Sequence, residues 1–278
     1  SGAVEGTPEE LISAFYYNPA GLTEIEGERT SFSLLVPHLR IRYKNDRGYS
    51  RMNHMMPILP VFGYSNDRYK PIIIGLGTFS TLGTGFNFKR DPSHGIPNNI
   101  ESRIGILSLS PTVAFKVHPQ VAVGIQLDIA YGKAEIEQPT PFGLLDIDTD
   151  GFGFGGSIGI LYNLNSSLSF GLKLKSPIKI PLKGDVDLGK EKDDLDIDLY
   201  LPLMIGFGVG YRPNSRFNLA MSIRWWDWTY LDRSKFKFDE FNFLDRPLAK
   251  ESRDTVRFCV GVEYYWSERI ILRCGYYY

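Results

Sequence analysis

The sequence predicts an all-β protein, a transmembrane antiparallel β-barrel preceded by a small N-terminal segment. Three observations carry this. Apolar residues alternate with small or polar ones at period two, the connections between these stretches alternate short and long, and no run approaches the roughly 18 to 20 apolar residues of a membrane-spanning helix. Barrel strands need only about 9 to 11 residues each, and their alternation averages hydropathy away. Mean hydropathy is accordingly -0.17.

Length does not force a division of the 278 residues, since all-β barrels of this size form one domain. The formal net charge of -1 offers no basic excess to neutralise a phosphate backbone, which excludes nucleic acid as the expected partner. The opening "SGAVEGTPEE" lacks the basic and apolar regions of a signal peptide, so an exported protein implies processed or trimmed sequence.

The first element is residues 1–29, a segment ahead of the barrel at 30–278. Its "YYNPAGL" (16–22) sets a turn among apolar residues. Asn18 before Pro19 disfavours helix and fixes a bend, Gly21 permits close approach, and Tyr16, Tyr17 and Leu22 supply packing surface.

Strands follow at about 30–44, then to 66, to 88, and onward. In "QVAVGIQLDIAYG", Val121, Val123, Ile125, Leu127 and Ile129 oppose Ala122, Gly124, Gln126, Asp128 and Ala130. "RFNLAMSIRWW" and "TVRFCVGVEYYW" repeat the split. A soluble sandwich also alternates, but its polar face carries Lys, Glu and Thr rather than Gly, Ala and Ser. Small residues on the less apolar face suit a crowded or liganded lumen.

Short connections ("SNDRYK", "VHPQ", "NLNSS", "RPNS", "WSER") alternate with longer ones ("NDRGYSRMNH", "RDPSHGIPNN", "QPTPFGLLDIDTD", "DVDLGKEKDDLD" and 231–254). Antiparallel neighbours then gather the tight turns at one end and the long loops at the other, the asymmetry of outer-membrane barrels. Trp225, Trp226, Trp228 and Tyr230 fall near the long-loop end and Trp266 near a short turn, as two aromatic girdles do. Eleven strands are read, the last running to Tyr278 without a closing partner, which predicts missing final strands.

Catalytic chemistry finds no support. His38, His54, His94 and His118 scatter between the two ends, without the spacing of a metal cluster or a nucleophile triad. No cofactor, metal site or enzyme activity is expected. "DIDTDG" (146–151) matches the start of a calcium loop, but Ser157 replaces its final Glu, so a solvated acidic loop is preferred. "GFGFGGSIG" (151–159) reads as a strand with a bare inner face rather than a phosphate loop, since no helix follows. Cys259 and Cys274 fall on opposite faces of a hairpin and stay free. Lys173, Lys175, Lys179 and Lys183 share the inward face, read as a hydrated lumen balanced by Asp128 and Glu263, or as a basic track for a carboxylate.

"NPAGL" (18–22), "IGLGTFSTLGTGF" (74–86), "LYLPLMIGFGVGYRPNSRFNLAMSIRWWDWTYL" (199–231) and "SRDTVRFCVGVEYYWSERIILRCGYYY" (252–278) together resemble the FadL-type outer-membrane transporters of long-chain fatty acids and aromatic hydrocarbons. The resemblance spans essentially the whole chain in family order. It implies a fourteen-stranded barrel in the bacterial outer membrane, with residues 1–29 as a hatch carrying Asn18, Pro19, Ala20, Gly21 and Leu22. It further implies passive uptake of a hydrophobic small molecule by a monomer in contact with lipid and lipopolysaccharide. The substrate pocket would take Tyr16, Tyr17, Leu22, Phe79, Gln138 and Lys235, and exit would be sideways at a third-strand kink around Thr81, Leu82, Gly83 and Gly85. Some members place a basic residue where Gln138 stands here, leaving Lys235 as headgroup candidate and neutral lipophiles as plausible cargo. The alternative is a structural or adhesive barrel whose long loops, 231–251 above all, bind an external partner.

Overall fold

The computed structural model describes residues 5–278 apart from 8, 9, 39, 47, 53–56, 95–98, 141, 142, 190, 241–244, 268 and 269. His54 lies outside the described residues, as do the tips of several connections.

An N-terminal helix α1 (Leu11–Tyr17) and a 3-10 turn (Pro19–Glu24) precede the strands. Strand β1 (Arg29–Leu35) is followed by the small hairpin β2 (Arg42–Asn45) and β3 (Gly48–Arg51), then by β4 (Leu59–Asn66), β5 (Ile72–Phe88) and β6 (Ile100–His118). Long β7 (Val121–Thr140) and β8 (Gly143–Asn163) lead into β9 (Leu168–Lys175), β10 (Ile178–Leu188), β11 (Glu191–Leu201) and β12 (Leu203–Asn214). After β13 (Phe217–Asp227) come the short β14 (Lys235–Phe238) and β15 (Arg246–Pro247), and finally β16 (Thr255–Ser267) and β17 (Ile270–Tyr277).

The main sheet runs β1-β4-β5-β6-β7-β8-β9-β12-β13-β16-β17, a meander in which each strand pairs antiparallel with its successor along the path. Burial along these strands is inverted relative to a water-soluble domain. On β7, Gln126 and Asp128 are 2% and 0% exposed while Ile125 and Leu127 are 53% and 47% exposed. β13 buries Asn218, Ser222 and Arg224 and exposes Met221 and Ile223; β16 buries Cys259 and exposes Phe258 and Val260. An outer apolar face with polar groups inside suits lipid outside and packed protein within. Cys259 is buried, Cys274 exposed, and both are free.

Two expected long loops are strands instead. β7 and β8 pair up to Thr140 and Gly143, where Gly143 adopts φ 138 at the turn, so 143–150 extends the wall. The signal was present in the sequence: Leu145, Ile147 and Thr149 face inward and Asp146, Asp148 and Asp150 outward, which is period two with carboxylates on the wet face. Among the described residues no group of carboxylates, Cys or His is arranged to hold a metal ion, and Asp146–Asp150 form part of a strand rather than a loop. Likewise 185–196 lies in the β10–β11 hairpin, turned at Gly189 with φ 71.

That hairpin continues β9 and β12 outward, with an interruption in each strand at one level. Ser176–Pro177 separates β9 from β10, and Pro202 separates β11 from β12. Proline cannot donate to the ladder, and the break shifts the facing by one residue. Lys173 and Lys175 therefore point inward below it, whereas Ile178, Ile180 and Leu182 do so above it. Lys179 and Lys183 are turned outward, with Lys179 paired to Asp198 at 2.9 Å and Lys183 to Asp196 at 3.4 Å. The inward basic track expected of four lysines is thus two lysines long. β10 crosses close over the glycines of β8: a Cβ on Gly153 or Gly155 would overlap Lys179 or Ile178. An apolar core of Ile106, Ile147, Ile180, Leu182, Leu195 and Phe236, among others, fills this end.

Candidate functional site

The described residues between 5 and 25 occupy the other half of the lumen. In α1, Leu11, Ala14 and Phe15 recur at helical spacing and bury one face with Leu22, Ile73 and Phe79. The helix stops at Asn18, whose backbone is extended (φ -157, ψ 107) because Pro19 follows. The wall makes room with glycine. A side chain on Gly75 or Gly77 would collide with Phe15, on Gly159 with Asn18 and Pro19, and on Gly208 with Glu5 and Gly6. Much of the bare inner face legible in the sequence is therefore the bed of this segment.

Polar bonds fasten the segment on the side of β8, β9 and β13. Asn18 Nδ2 donates to the carbonyls of Glu5 (2.9 Å) and Ile160 (3.0 Å), while its Oδ1 accepts from Ala20 N–H at 3.1 Å. Lys173, fully enclosed, donates to the Tyr16 carbonyl at 2.8 Å and to that of Phe15 at 3.4 Å, satisfying the open C-terminal end of α1. Glu5 and Arg224 form a buried ion pair, and the Arg224 guanidinium lies 4.6 Å from the Tyr17 ring. Burial pushes the Tyr17 phenol up, against the lowering pull of Arg224. Asp128 accepts from Ser110 at 2.7 Å and Gln126 at 2.7 Å and faces Lys175 at 3.6 Å.

Beside this fastened side, and bounded in part by Glu5, Lys175 and Arg224, a cavity of about 760 Å³ lies between α1 and the wall. Tyr16, Tyr17, Phe79, Thr81 and Leu82 line it, as do Trp226 and Trp228. The rings are in contact, Tyr16 with Tyr17 at 4.8 Å and with Phe79 at 5.4 Å, both edge-on. Of the other residues singled out from the sequence, Leu22 is fully buried in the apolar cluster beneath α1. Gln138 stands opposite Leu145 near the outer end of β7, and Lys235 opposite Pro247 and Asp198 on β14; neither lines the cavity. Trp226 and Trp228 were expected in a lipid-facing girdle, yet both reach the cavity, since Trp226 shares the inward parity of Ser222 and Arg224. Sequence reasoning passed over Glu5 and read Lys173 only as one of four inward lysines; Arg224 and Arg257 were legible only as charges on a face of small residues.

The wall is irregular beside the cavity. Pairing of β5 with β6 slips by one residue between Ser80 and Leu82, a bulge centred on Thr81, whose Oγ1 lies 2.6 Å from Ser108 Oγ. Gly83 and Gly85 stay paired, opposite Gly105 and Arg103. On the other edge of β5, the ladder with β4 ends at Phe62 opposite Thr78, although β4 continues back to Leu59 along β1. Pro60, without an N–H, stands in the part of β4 that has left β5.

Comparisons with known proteins agree with this architecture. A sequence model described as outer membrane protein transport protein (OMPP1/FadL/TodX) matches residues 3–278. A Pseudomonas aeruginosa FadL homologue superposes with a TM-score of 0.79 at 16% identity, covering 99% of this chain and 77% of its own. The P. putida toluene transporter TodX gives 0.80 at 17% identity, covering 96% and 78%. The Ralstonia pickettii toluene transporter TbuX gives 0.76 at 16% identity, covering 96% and 81%. At these identities the superpositions speak for the fold, and no curated protein sequence matches the chain. With its inverted burial, its meander of antiparallel strands and a family match over nearly its full length, the chain belongs to the OmpP1/FadL/TodX family of transport proteins, β-barrels of the bacterial outer membrane.

Proposed function

We propose that the protein is a passive channel for hydrophobic small molecules, with residues up to 29 acting as a hatch and cargo leaving sideways through the wall. One observation carries the reading: Phe79, Thr81 and Leu82 line the cavity and also sit at the bulge of β5, where β4 has already parted. A molecule between Tyr16, Tyr17 and Phe79 is thus next to a seam in the wall. The axial direction is unfavourable by comparison, because Asn18, Lys173 and the Glu5–Arg224 pair hold the hatch. Each CH₂ kept from water gains about 0.8 kcal/mol, so a direct step from cavity to bilayer is downhill for an apolar cargo. A lumen packed throughout would have favoured the adhesive alternative; the cavity favours transport.

Gly83 offers the test. A Cβ there meets only Ser80 Oγ at 3.7 Å and Leu59 Cδ2 at 4.0 Å, which is ordinary contact. Gly83→Trp is expected to fill the seam beside Leu59 while the barrel still folds. Uptake of a labelled lipophile into proteoliposomes should then fall to that of protein-free vesicles; undiminished uptake would remove the sideways route.

A further inference from the structure

The charge balance of the cavity narrows the cargo, given that the cavity is the transport pocket. Its charged lining residues are Glu5, Lys175, Arg224 and Arg257. Arg224 is answered by Glu5, and Lys175 by Asp128 at 3.6 Å. Arg257 has no carboxylate within ion-pair distance among the described residues. Its guanidinium instead lies 5.3 Å from the Trp226 ring and 5.4 Å from that of Tyr277. It also stands directly across the β13–β16 ladder from Arg224, a like-charge placement that disfavours leaving it unanswered.

An unanswered guanidinium at the side of a largely apolar chamber attracts an anion, and its planar fork suits a carboxylate. The rest of the lining is rich in rings: Tyr16, Tyr17, Phe79, Trp226, Trp228 and Tyr277. Such rings pair favourably with another ring edge-on or offset. From this juxtaposition we infer that the preferred cargo is a lipophilic aryl carboxylate, its ring among Tyr16, Tyr17 and Phe79 and its carboxylate on Arg257. Arg257 is then the residue that selects against neutral lipophiles.

The full chain in zwitterionic lipid nanodiscs, titrated calorimetrically at pH 7 against empty-nanodisc controls, tests this with 4-phenylbutyrate, 4-phenylbutan-1-ol and octanoate. The wild type should bind 4-phenylbutyrate about tenfold or more tightly than the alcohol, the scale of one charge-assisted hydrogen bond. It should also bind it more tightly than octanoate. Arg257→Gln should abolish the acid-over-alcohol preference, with the heat-modifiable electrophoretic shift of the folded barrel as the check on folding. Arg257→Lys should keep most of the preference, and Lys235→Gln all of it. Equal binding of acid and alcohol by the wild type, or a preference that survives Arg257→Gln, overturns the role of Arg257. Octanoate binding as tightly as 4-phenylbutyrate overturns the aryl assignment. Binding of none of the three overturns the pocket itself, and with it the proposed channel.

Discussion

Asn18 shows how one side chain can fix a segment with little regular structure. Its amide joins the backbone at Glu5, the turn at Ala20 and the wall at Ile160. Asn18→Ala leaves carbonyls in a fully buried site without their donor, at a cost of about 1–3 kcal/mol. The loss falls on the attachment of residues 5–25 rather than on the strand ladders. Limited proteolysis should therefore cut this segment faster in the variant, while the heat-modifiable electrophoretic shift of the folded barrel stays as in the wild type. An equal cleavage rate would mean that the Glu5–Arg224 pair and Lys173 hold the segment without Asn18.

At the scale of elements, the β10–β11 hairpin is the part whose form depends most on contacts distant in sequence. Proline breaks at 177 and 202 let it turn over the lumen, and Gly151 and Gly153 let β10 approach β8 backbone to backbone. Gly153→Leu should overpack this contact at about 1–3 kcal/mol and speed amide hydrogen exchange across 178–201. Gly105→Ala is the matched control, since a Cβ there meets nothing within 4 Å and exchange should not change. Slow exchange in Gly153→Leu would show that the hairpin is held by its edges alone, through β8 and β14.

Over the whole molecule, the inverted burial of the wall makes lipid part of its stability. Leu127 is 47% exposed on a strand whose alternate residues, Gln126 and Asp128, are buried. Leu127→Arg is expected to cost about 2–4 kcal/mol in folding from urea into phosphatidylcholine vesicles, the penalty of a cation on the lipid face near the bilayer midplane. A neutral result would place this part of β7 at the interface rather than in the hydrocarbon. Period-two alternation determined the barrel class, the eleven strands of the main path and the face that meets lipid, because side-chain facing in a strand is a local property of sequence. The bend at Asn18-Pro19 was legible for the same reason. The acidic stretches were misread as loops since carboxylates signal water; their period-two alternation was present, and pairing with β7 and β10 shows that water meets one face of a strand there. The tertiary structure alone decided that Glu5 meets Arg224 across 219 positions of sequence, that Lys173 caps α1, and that Arg257 shares a cavity with Phe79 and Tyr16. Such meetings follow from how the sheet curves around the N-terminal segment, and no local pattern of residues encodes that curvature.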